Sequence, residues 1–144
     1  MPGYNIHRGF NYSAFIAVAA LLYFKGMSFL DLYQFIVLVA GFYIGTEFVT
    51  PDLDVESRAI NRWGPLKVLW WPYMLMFKHG QSSHNIFYGA VVRVLYFSLM
   101  IAGLYYLIFK TVPTDITIPT VFLYVLLVGI VLANVLHVML DMLF

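Results

Sequence analysis

Long apolar stretches alternate with short polar breaks along the chain, and one long polar connection lies near its middle. A helix needs ~20 residues, at a rise of 1.5 Å per residue, to cross the ~30 Å hydrocarbon layer of a bilayer. The pattern predicts an all-α integral membrane protein with four transmembrane helices, at about residues 10–24, 32–49, 86–109 and 118–143.

The breaks between these stretches carry residues that end or begin helices. Lys25 and Gly26 end the first span, and Asp31 is placed to cap the second. Pro51 is expected to end the second span, because the residue before a proline is pushed out of the helical region. Residues 110–115 form the turn between the last two spans.

The long connection, from Pro51 to His84, contains an aromatic segment at residues 63–77. Many aromatic residues with few charges suit a segment that lies in the headgroup plane rather than one that crosses the membrane. Pro65 and Pro72 would interrupt a continuous helix there. We expect this segment to anchor the loop at the cytoplasmic-side interface, in preference to binding a substrate.

Composition supports the membrane assignment. The chain is 62% apolar and 10% charged, against about 45–50% and about 25% for a soluble domain, and its mean hydropathy is +0.86. A lipid bilayer is the expected partner, and residues 1–144 are expected to form one domain. The net charge of +1 without a basic run excludes a nucleic-acid partner, and the lack of cysteine excludes thiolate ligands.

Lysine and arginine residues in the loops predict the orientation. The long connection holds four of the eight basic residues and the N-terminal segment holds Arg8, whereas the two other turns hold only Lys25 and Lys110. The positive-inside rule then gives a multi-pass protein of the inner (plasma) membrane with both termini and the long connection in the cytoplasm. With four crossings, all four histidines fall at this cytoplasmic edge.

Two pairs of chemically capable side chains flank this edge. His137 and Asp141 occupy positions i and i+4 of the last helix, so both project from one face. Mutual hydrogen bonding is the alternative interpretation of that pair. Asp52 and Asp54 follow a proline, and in an extended loop residues two apart point to the same side. A solvated turn is the alternative there.

The remaining histidines complete a possible ligand set. His79 and His84 flank a Gly-Gln-Ser-Ser sequence, and a loop would bring their imidazoles together, with a basic interfacial loop as the alternative. Because all these signals lie on one side of the membrane, we expect one metal centre or two adjacent centres. The expected ligands are His7, Asp52, Asp54, His79, His84, His137 and Asp141.

Mixed imidazole and carboxylate ligation indicates the metal and the chemistry. Zinc is the expected ion, one or two per chain, and manganese, iron or nickel also fit better than calcium or magnesium. Such a centre suits hydrolysis, particularly of phosphoesters, with Asp54 and His84 as the candidate catalytic residues.

Two further ionisable residues are second choices. Glu47 is a candidate ligand or general base, although pairing with Arg58 or Arg62 is the expected role. Arg93, near the start of the third span, could neutralise an aspartate or bind a lipid phosphate. Snorkelling to the interface is the simpler expectation for Arg93.

The order of the motifs resembles a known family. The chain has His7, then Pro-Asp-Leu-Asp at 51–54, then His79 to His84, then His137 to Asp141. This order resembles the membrane-bound metal-dependent hydrolases (YdjM-like) and a related set of metal-binding membrane proteins. The resemblance implies a membrane-bound metalloenzyme whose ligands are the seven residues above.

The sequence therefore predicts a membrane-embedded metal-dependent hydrolase that acts on a phosphoester or ester of a lipid-like substrate at the cytoplasmic membrane boundary. The alternative is a metal-binding membrane protein with a structural or sensing role and no turnover. Metal or proton transport is a weaker alternative, because transport sites normally lie near the bilayer midplane, whereas these ligands lie at one edge.

Overall fold

The computed structural model describes residues 3–26, 30–77, 88–112 and 117–144 of the chain. Within these ranges the chain is helical and contains no strand, so the all-α prediction is confirmed. Two 3₁₀-helices cover Pro51–Asp54 and Gly64–Trp70. The α-helices are α1 (Tyr4–Phe24), α2 (Leu32–Glu47), α3 (Arg58–Asn61), α4 (Trp71–Met76), α5 (Tyr88–Phe109) and α6 (Thr120–Leu143).

Two of the four long helices, α5 and α6, are long and apolar enough to cross a membrane, by length and composition alone. By this measure the described part of the chain shows two of the four predicted spans. The helix α2 has 16 residues, fewer than the ~20 that a full crossing requires. The helix α1 begins at Tyr4 rather than near residue 10, so its first turns carry the polar residues Asn5, His7 and Arg8.

The boundaries of α2 agree with the sequence at one end only. Asp31 caps the helix, accepting a hydrogen bond from the backbone N–H of Gln34 in a capping box, as predicted. At the other end α2 stops at Glu47, before the proline. Pro51 begins the first 3₁₀-helix, in which the Thr50 side chain accepts the capping hydrogen bond. A fixed φ suits proline to such a first position.

Small residues allow α2 and α6 to pack in close contact. A Cβ atom built on Gly41 would overlap the carbonyl oxygen of Leu126, and one on Gly45 would lie 2.8 Å from that of Ile130. Gly129 of α6 makes the same kind of approach to the α2 backbone. Because the contacts advance together along both helices, α2 and α6 run parallel. Small residues spaced four apart are typical of helix pairs in membranes.

The helix α1 runs antiparallel to α6. The rings of His7 and His137 are stacked, and one turn further along α1 the Asn11 amide donates to the carbonyl of Ala133, one turn earlier in α6. The end of α2 and the start of α5 meet the same region. We call this end of the bundle, which His7 and His137 define, the histidine end.

The aromatic segment folds back against α5. Trp70 and Tyr73 are fully buried and pack with Leu53 and Ile60, and side chains of α5 cover this cluster. The hydroxyl of Tyr96 in α5 donates to the backbone carbonyl of Leu69 in this segment. Aromatic rings buried in this way are packed in the protein core and do not lie at the membrane interface.

The expectation that residues 63–77 only anchor the loop in the headgroup plane is therefore wrong for one face. Pro65 and Pro72 do interrupt the segment, and each lies in the first turn of a short helix. The opposite face is apolar and exposed through Leu66, Val68, Trp71, Leu75 and Met76.

Candidate metal centre

The helix α6 ends with two ligand-type side chains on one face. The spacing of four residues directs His137 and Asp141 to the same side, with His137 Nε2 3.6 Å from Asp141 Oδ2. The other carboxylate oxygen of Asp141 lies 3.1 Å from His7 Nε2. The carboxylate thus lies between two imidazoles, and the ligand atoms of these three residues all lie within 4.8 Å of one another.

The two imidazoles come from helices that meet in antiparallel fashion. Their ring centroids are 3.8 Å apart and their planes differ by 7°. His7 and His137 are each 3% exposed, and the side chain of Asp141 is 6% exposed. The three residues therefore form one buried group, which we call the histidine–aspartate group.

Asp52 extends this group toward solvent. It belongs to the first 3₁₀-helix, and its Oδ1 atom lies 3.4 Å from His137 Nε2. Its side chain is 17% exposed. Asp52 also lines an open cleft of about 610 Å³ between the start of α1 and the chain leading into α3. Through Asp52, the histidine end is in contact with a solvent-accessible cleft.

The distances in this cluster fit a metal ion. A tetrahedral ion with nitrogen and oxygen ligands at about 2.0–2.2 Å separates its ligand atoms by about 3.3–3.6 Å. The three separations between imidazole nitrogens and carboxylate oxygens are 3.1, 3.4 and 3.6 Å, so two lie within this range and the third is slightly shorter. The donor set of two imidazoles and carboxylates is also one that suits a transition-metal ion. The residues present therefore fit the metal that the sequence implies.

Asp54 does not belong to the histidine–aspartate group. The predicted extended loop is a 3₁₀-helix, and with three residues per turn the side chains of Asp52 and Asp54 leave it in different directions. Asp54 is buried and lies close enough to Arg93 to interact with it electrostatically. Asp52 interacts electrostatically with Arg93 as well. The loop is therefore helical rather than extended, and a shared role of the two carboxylates as ligands stays a prediction.

Arg93 is held inside the bundle. Its side chain is fully buried, and its Nε and Nη2 atoms donate to Asn134 Oδ1 at 3.1 and 2.8 Å. The amide of Asn134 in turn donates to the carbonyl of Ile130, one turn earlier in α6. Snorkelling to the interface, the simpler expectation for this arginine, is therefore wrong.

Two of the expected ligands, His79 and His84, lie outside the described residues. Their part in the centre stays a prediction. Of the other five, the structure brings together His7, Asp52, His137 and Asp141. Asp54 is buried two residues beyond Asp52 in the same 3₁₀-helix, and its part as a ligand stays a prediction.

Glu47 forms a second carboxylate centre at the same end. Its side chain is fully buried and accepts hydrogen bonds from the hydroxyls of Tyr4 at 2.8 Å and Tyr12 at 2.7 Å. Arg8 donates to it at 2.6 Å, and Arg62 forms a further ion pair. The expected pairing with Arg62 is confirmed. Arg8 and the two tyrosines were not predicted.

The Glu47 centre also has a titratable partner whose pKa is shifted. Burial raises the pKa of the Tyr4 hydroxyl above its ordinary value, although the nearby Arg62 and Arg8 act in the opposite direction. In the aromatic segment, burial likewise raises the pKa of Tyr73. Both hydroxyls therefore keep their protons beyond the pH at which an exposed tyrosine loses its own.

The sequence contains patterns that indicate the unpredicted partners of Glu47 and the close packing of α2. Tyr4, Arg8 and Tyr12 recur every four residues, which is the spacing of one helix face. The face becomes visible only if the first helix starts near Tyr4. The small residues Gly41 and Gly45, also four apart in an apolar run, indicate close packing of helices.

The fold and site define a helical protein with a His/His/Asp group that can hold a metal ion. The family described as "Uncharacterized metal-binding protein (DUF2227)" matches residues 2–144. The chain therefore belongs to this metal-binding family. The resemblance to metal-binding proteins is confirmed, and the resemblance to the YdjM-like hydrolases is not part of this finding.

A protein from Aquifex aeolicus (strain VF5), described as an uncharacterized protein, is 39% identical to the chain over 57 residues. The match covers 39% of this chain and 40% of that protein, so less than half of either length is compared. No solved structure matches the chain.

Proposed function

We propose that the protein is a membrane-embedded metal-dependent hydrolase that cleaves a phosphoester or ester of a lipid-like substrate at the cytoplasmic membrane boundary. One observation carries the proposal. The buried histidine–aspartate group connects through Asp52 to an open cleft. A structural metal site is closed, whereas a catalytic site needs an accessible position.

Exposed apolar surface on the long helices supports membrane embedding. The helix α5 is apolar apart from Arg93 and Ser98, yet its buried residues, Gly89, Ala90 and Arg93, all lie near its start. The helices α1 and α2 also expose large apolar side chains, such as Ile16 and Ile36. Continuous apolar surface of this kind is rare on a water-exposed monomer. We therefore place the apolar parts of all four long helices in the bilayer, from about residue 10 onward in α1.

The metal in this proposal is a divalent transition-metal ion, one or two per chain and zinc in the first instance. His7, His137, Asp141 and Asp52 would hold it, joined by His79 and His84 from outside the described residues. When bound, such an ion polarises a phosphoryl or carbonyl oxygen and activates water. Asp54 and His84 remain the proposed catalytic residues, and the buried Asp54 interacts electrostatically with Arg93.

Elemental analysis and activity assays test the proposal. Protein purified without a chelator is expected to contain one or two transition-metal ions per chain. A panel of phospholipids and soluble phosphoesters should then include at least one substrate that wild-type protein hydrolyses and the His137→Ala variant does not. Absence of any bound transition metal would refute both the hydrolase and the metal site.

A non-catalytic metal-binding role is the second candidate, and the 3% exposure of His7 and His137 favours it. Buried ligands are typical of a structural ion that stabilises the fold. Stoichiometric metal without turnover on any substrate, together with a loss of thermal stability on chelation, would support this role over hydrolysis.

The proposed topology can be tested because the chain contains no cysteine. Single cysteines replacing Glu56 in the long connection, or Lys25 and Lys110 in the other turns, would each report accessibility. In whole cells, a membrane-impermeant maleimide is expected to label the Lys25→Cys and Lys110→Cys variants but not Glu56→Cys. The opposite pattern would reverse the orientation, and labelling of all three would contradict four crossings.

A further inference from the structure

The cleft that Asp52 lines also has a basic residue, Arg58, in its lining. Its lining includes Tyr4 and Asn5 from the start of α1, and Asp52, Ser57 and Arg58 from the chain around the first 3₁₀-helix and α3. The volume of about 610 Å³ is in the range of ordinary ligand pockets, about 300–1,000 Å³. The cleft therefore has room for a substrate group next to the candidate metal centre.

Arg58 is available to a ligand in this cleft. It is exposed, and among the described residues no ion pair joins it to an acid. Arg58 differs in this respect from Arg8 and Arg62, which both form ion pairs with Glu47. A planar guanidinium with several donors suits the oxygens of a phosphate group.

Ser57 fixes the distance between the arginine and the metal side of the cleft. Its hydroxyl donates to the backbone carbonyl of Asp52 at 2.8 Å. The same hydroxyl accepts a hydrogen bond from the N–H of Ile60, capping α3. Asp52 and Arg58 are therefore parts of one braced turn, and a ligand between them meets a preformed site rather than two independent side chains.

The charges around the cleft favour an anion. The Glu47 carboxylate faces two guanidinium groups, those of Arg8 and Arg62, so this neighbouring centre keeps a net positive charge. The Arg62 guanidinium also lies over the ring of Tyr4, 5.0 Å from its centroid, and Tyr4 lines the cleft. Asp52 is the acid in the lining, and it faces His137, where a metal ion would balance its charge.

We propose that this cleft binds a phosphate group, with Arg58 as its ionic anchor and Asp52 joining it to the metal centre. The inference rests on the proposed function and narrows its substrate class from esters in general to phosphoesters. The phosphate could belong to a lipid headgroup or to a soluble phosphoester. In either case Arg58 binds and orients the phosphate rather than acting on the bond that breaks.

Calorimetric titration of zinc-loaded protein with inorganic phosphate tests the proposal without requiring turnover. The Arg58→Gln variant is expected to bind phosphate about tenfold more weakly than wild type, as the loss of a charge-assisted hydrogen-bonding partner predicts. The matched control is Lys67→Gln, which removes an exposed cation from the same connection. That lysine pairs with Glu56 and does not line the cleft, so its removal should change affinity less than twofold.

A second arm distinguishes the sources of phosphate. Each variant is held in detergent micelles and titrated with short-chain phosphatidic acid or, as reference, short-chain phosphatidylcholine. Stronger binding of phosphatidic acid that depends on Arg58 would identify a lipid headgroup, whereas Arg58-dependent binding of inorganic phosphate alone would identify a soluble ligand. Equal affinities for wild type and Arg58→Gln in both arms, or an equal loss in Lys67→Gln, would overturn the proposal.

Failure of this inference and failure of the proposed function give different results. If Arg58→Gln hydrolyses phosphoesters with an unchanged KM, the cleft does not bind the substrate, and the proposal of a hydrolase still stands. Arg58-dependent phosphate binding without hydrolysis of any phosphoester would keep the anion site and contradict the hydrolase.

Discussion

Two buried carboxylates at the histidine end differ in the partners that surround them. Glu47 accepts hydrogen bonds from two tyrosine hydroxyls and faces two arginines. Asp141 lies between the imidazoles of His7 and His137. Both carboxylates are buried, and both connect α1 to another helix of the bundle.

The partners decide what each centre can do. Arginine and tyrosine supply protons of their own, so the Glu47 centre satisfies its charge without any ion. A neutral imidazole offers a nitrogen lone pair, as a carboxylate offers oxygen lone pairs, and groups of this kind converge naturally on a cation. The Glu47 centre therefore fixes the helices to one another, whereas the histidine–aspartate group can bind metal.

Removal of a proposed metal ligand should have the largest effect. The His137→Ala variant is expected to bind zinc at least about 100-fold more weakly than wild type, because even partners of metal ligands typically contribute 10- to 100-fold. Competition with a chromogenic chelator measures this affinity. The matched control, Met139→Ala, changes a half-exposed residue of the same helix and should retain wild-type affinity. Equal affinity in His137→Ala would remove this histidine from the centre.

The Glu47→Gln variant should show the opposite pattern, with reduced stability and normal metal stoichiometry. Removing one partner from a buried ion pair costs about 3–5 kcal/mol. We expect about 2–3 kcal/mol here, because the side chains of Arg8 and Arg62 are 46% and 32% exposed and can regain water. Unfolding by SDS titration in mixed micelles measures the loss.

The control for this variant is Glu56→Gln. That glutamate is exposed and pairs with Lys67 at 3.6 Å, so its removal should cost less than about 0.5 kcal/mol. Loss of zinc binding in folded Glu47→Gln protein would contradict the separation of the two centres.

The sequence predicted the convergence of the histidine end better than its details. An even number of long helices brings the start of α1 and the end of α6 to the same side, and His7 does meet His137. The order of the apolar stretches is enough to bring these two ends together. Their exact lengths do not matter, so the shorter α2 and the earlier start of α1 leave this convergence unchanged.

Local geometry was harder to predict. The Pro-Asp-Leu-Asp stretch reads as an extended turn, yet it forms a 3₁₀-helix, and this difference separates Asp52 from Asp54. The burial of Trp70 and Tyr73 depends on contacts with α5, far away in the sequence. Composition alone cannot distinguish an aromatic ring in an interface from one in a core.

Removal of a single donor should sharpen the picture of the Glu47 centre. The Tyr12→Phe variant loses the 2.7 Å hydrogen bond to Glu47 but leaves both arginines in place. A hydrogen bond to a charged group contributes about 1.5–3 kcal/mol. We expect about 1 kcal/mol, since the carboxylate keeps its other donors. SDS titration measures the change, and a cost equal to that of Glu47→Gln would show that the centre depends on this hydroxyl rather than on its charges.

The smallest effect is a dependence of stability on alkaline pH. Tyr4 lies outside the proposed span, and burial raises its pKa in the folded protein, whereas the unfolded chain loses this proton near pH 10. Above about pH 10 the unfolded state therefore binds fewer protons than the folded state, so stability falls as pH rises. One such group contributes at most about 1.4 kcal/mol per pH unit, and the half-buried Tyr4 should contribute well below that limit.

SDS titrations between about pH 9 and 11 should show a shallower decline of stability for Tyr4→Phe than for wild type. The control variant Tyr33→Phe alters an exposed tyrosine and should follow the wild-type decline, and equal slopes for Tyr4→Phe and wild type would remove Tyr4 from the alkaline response.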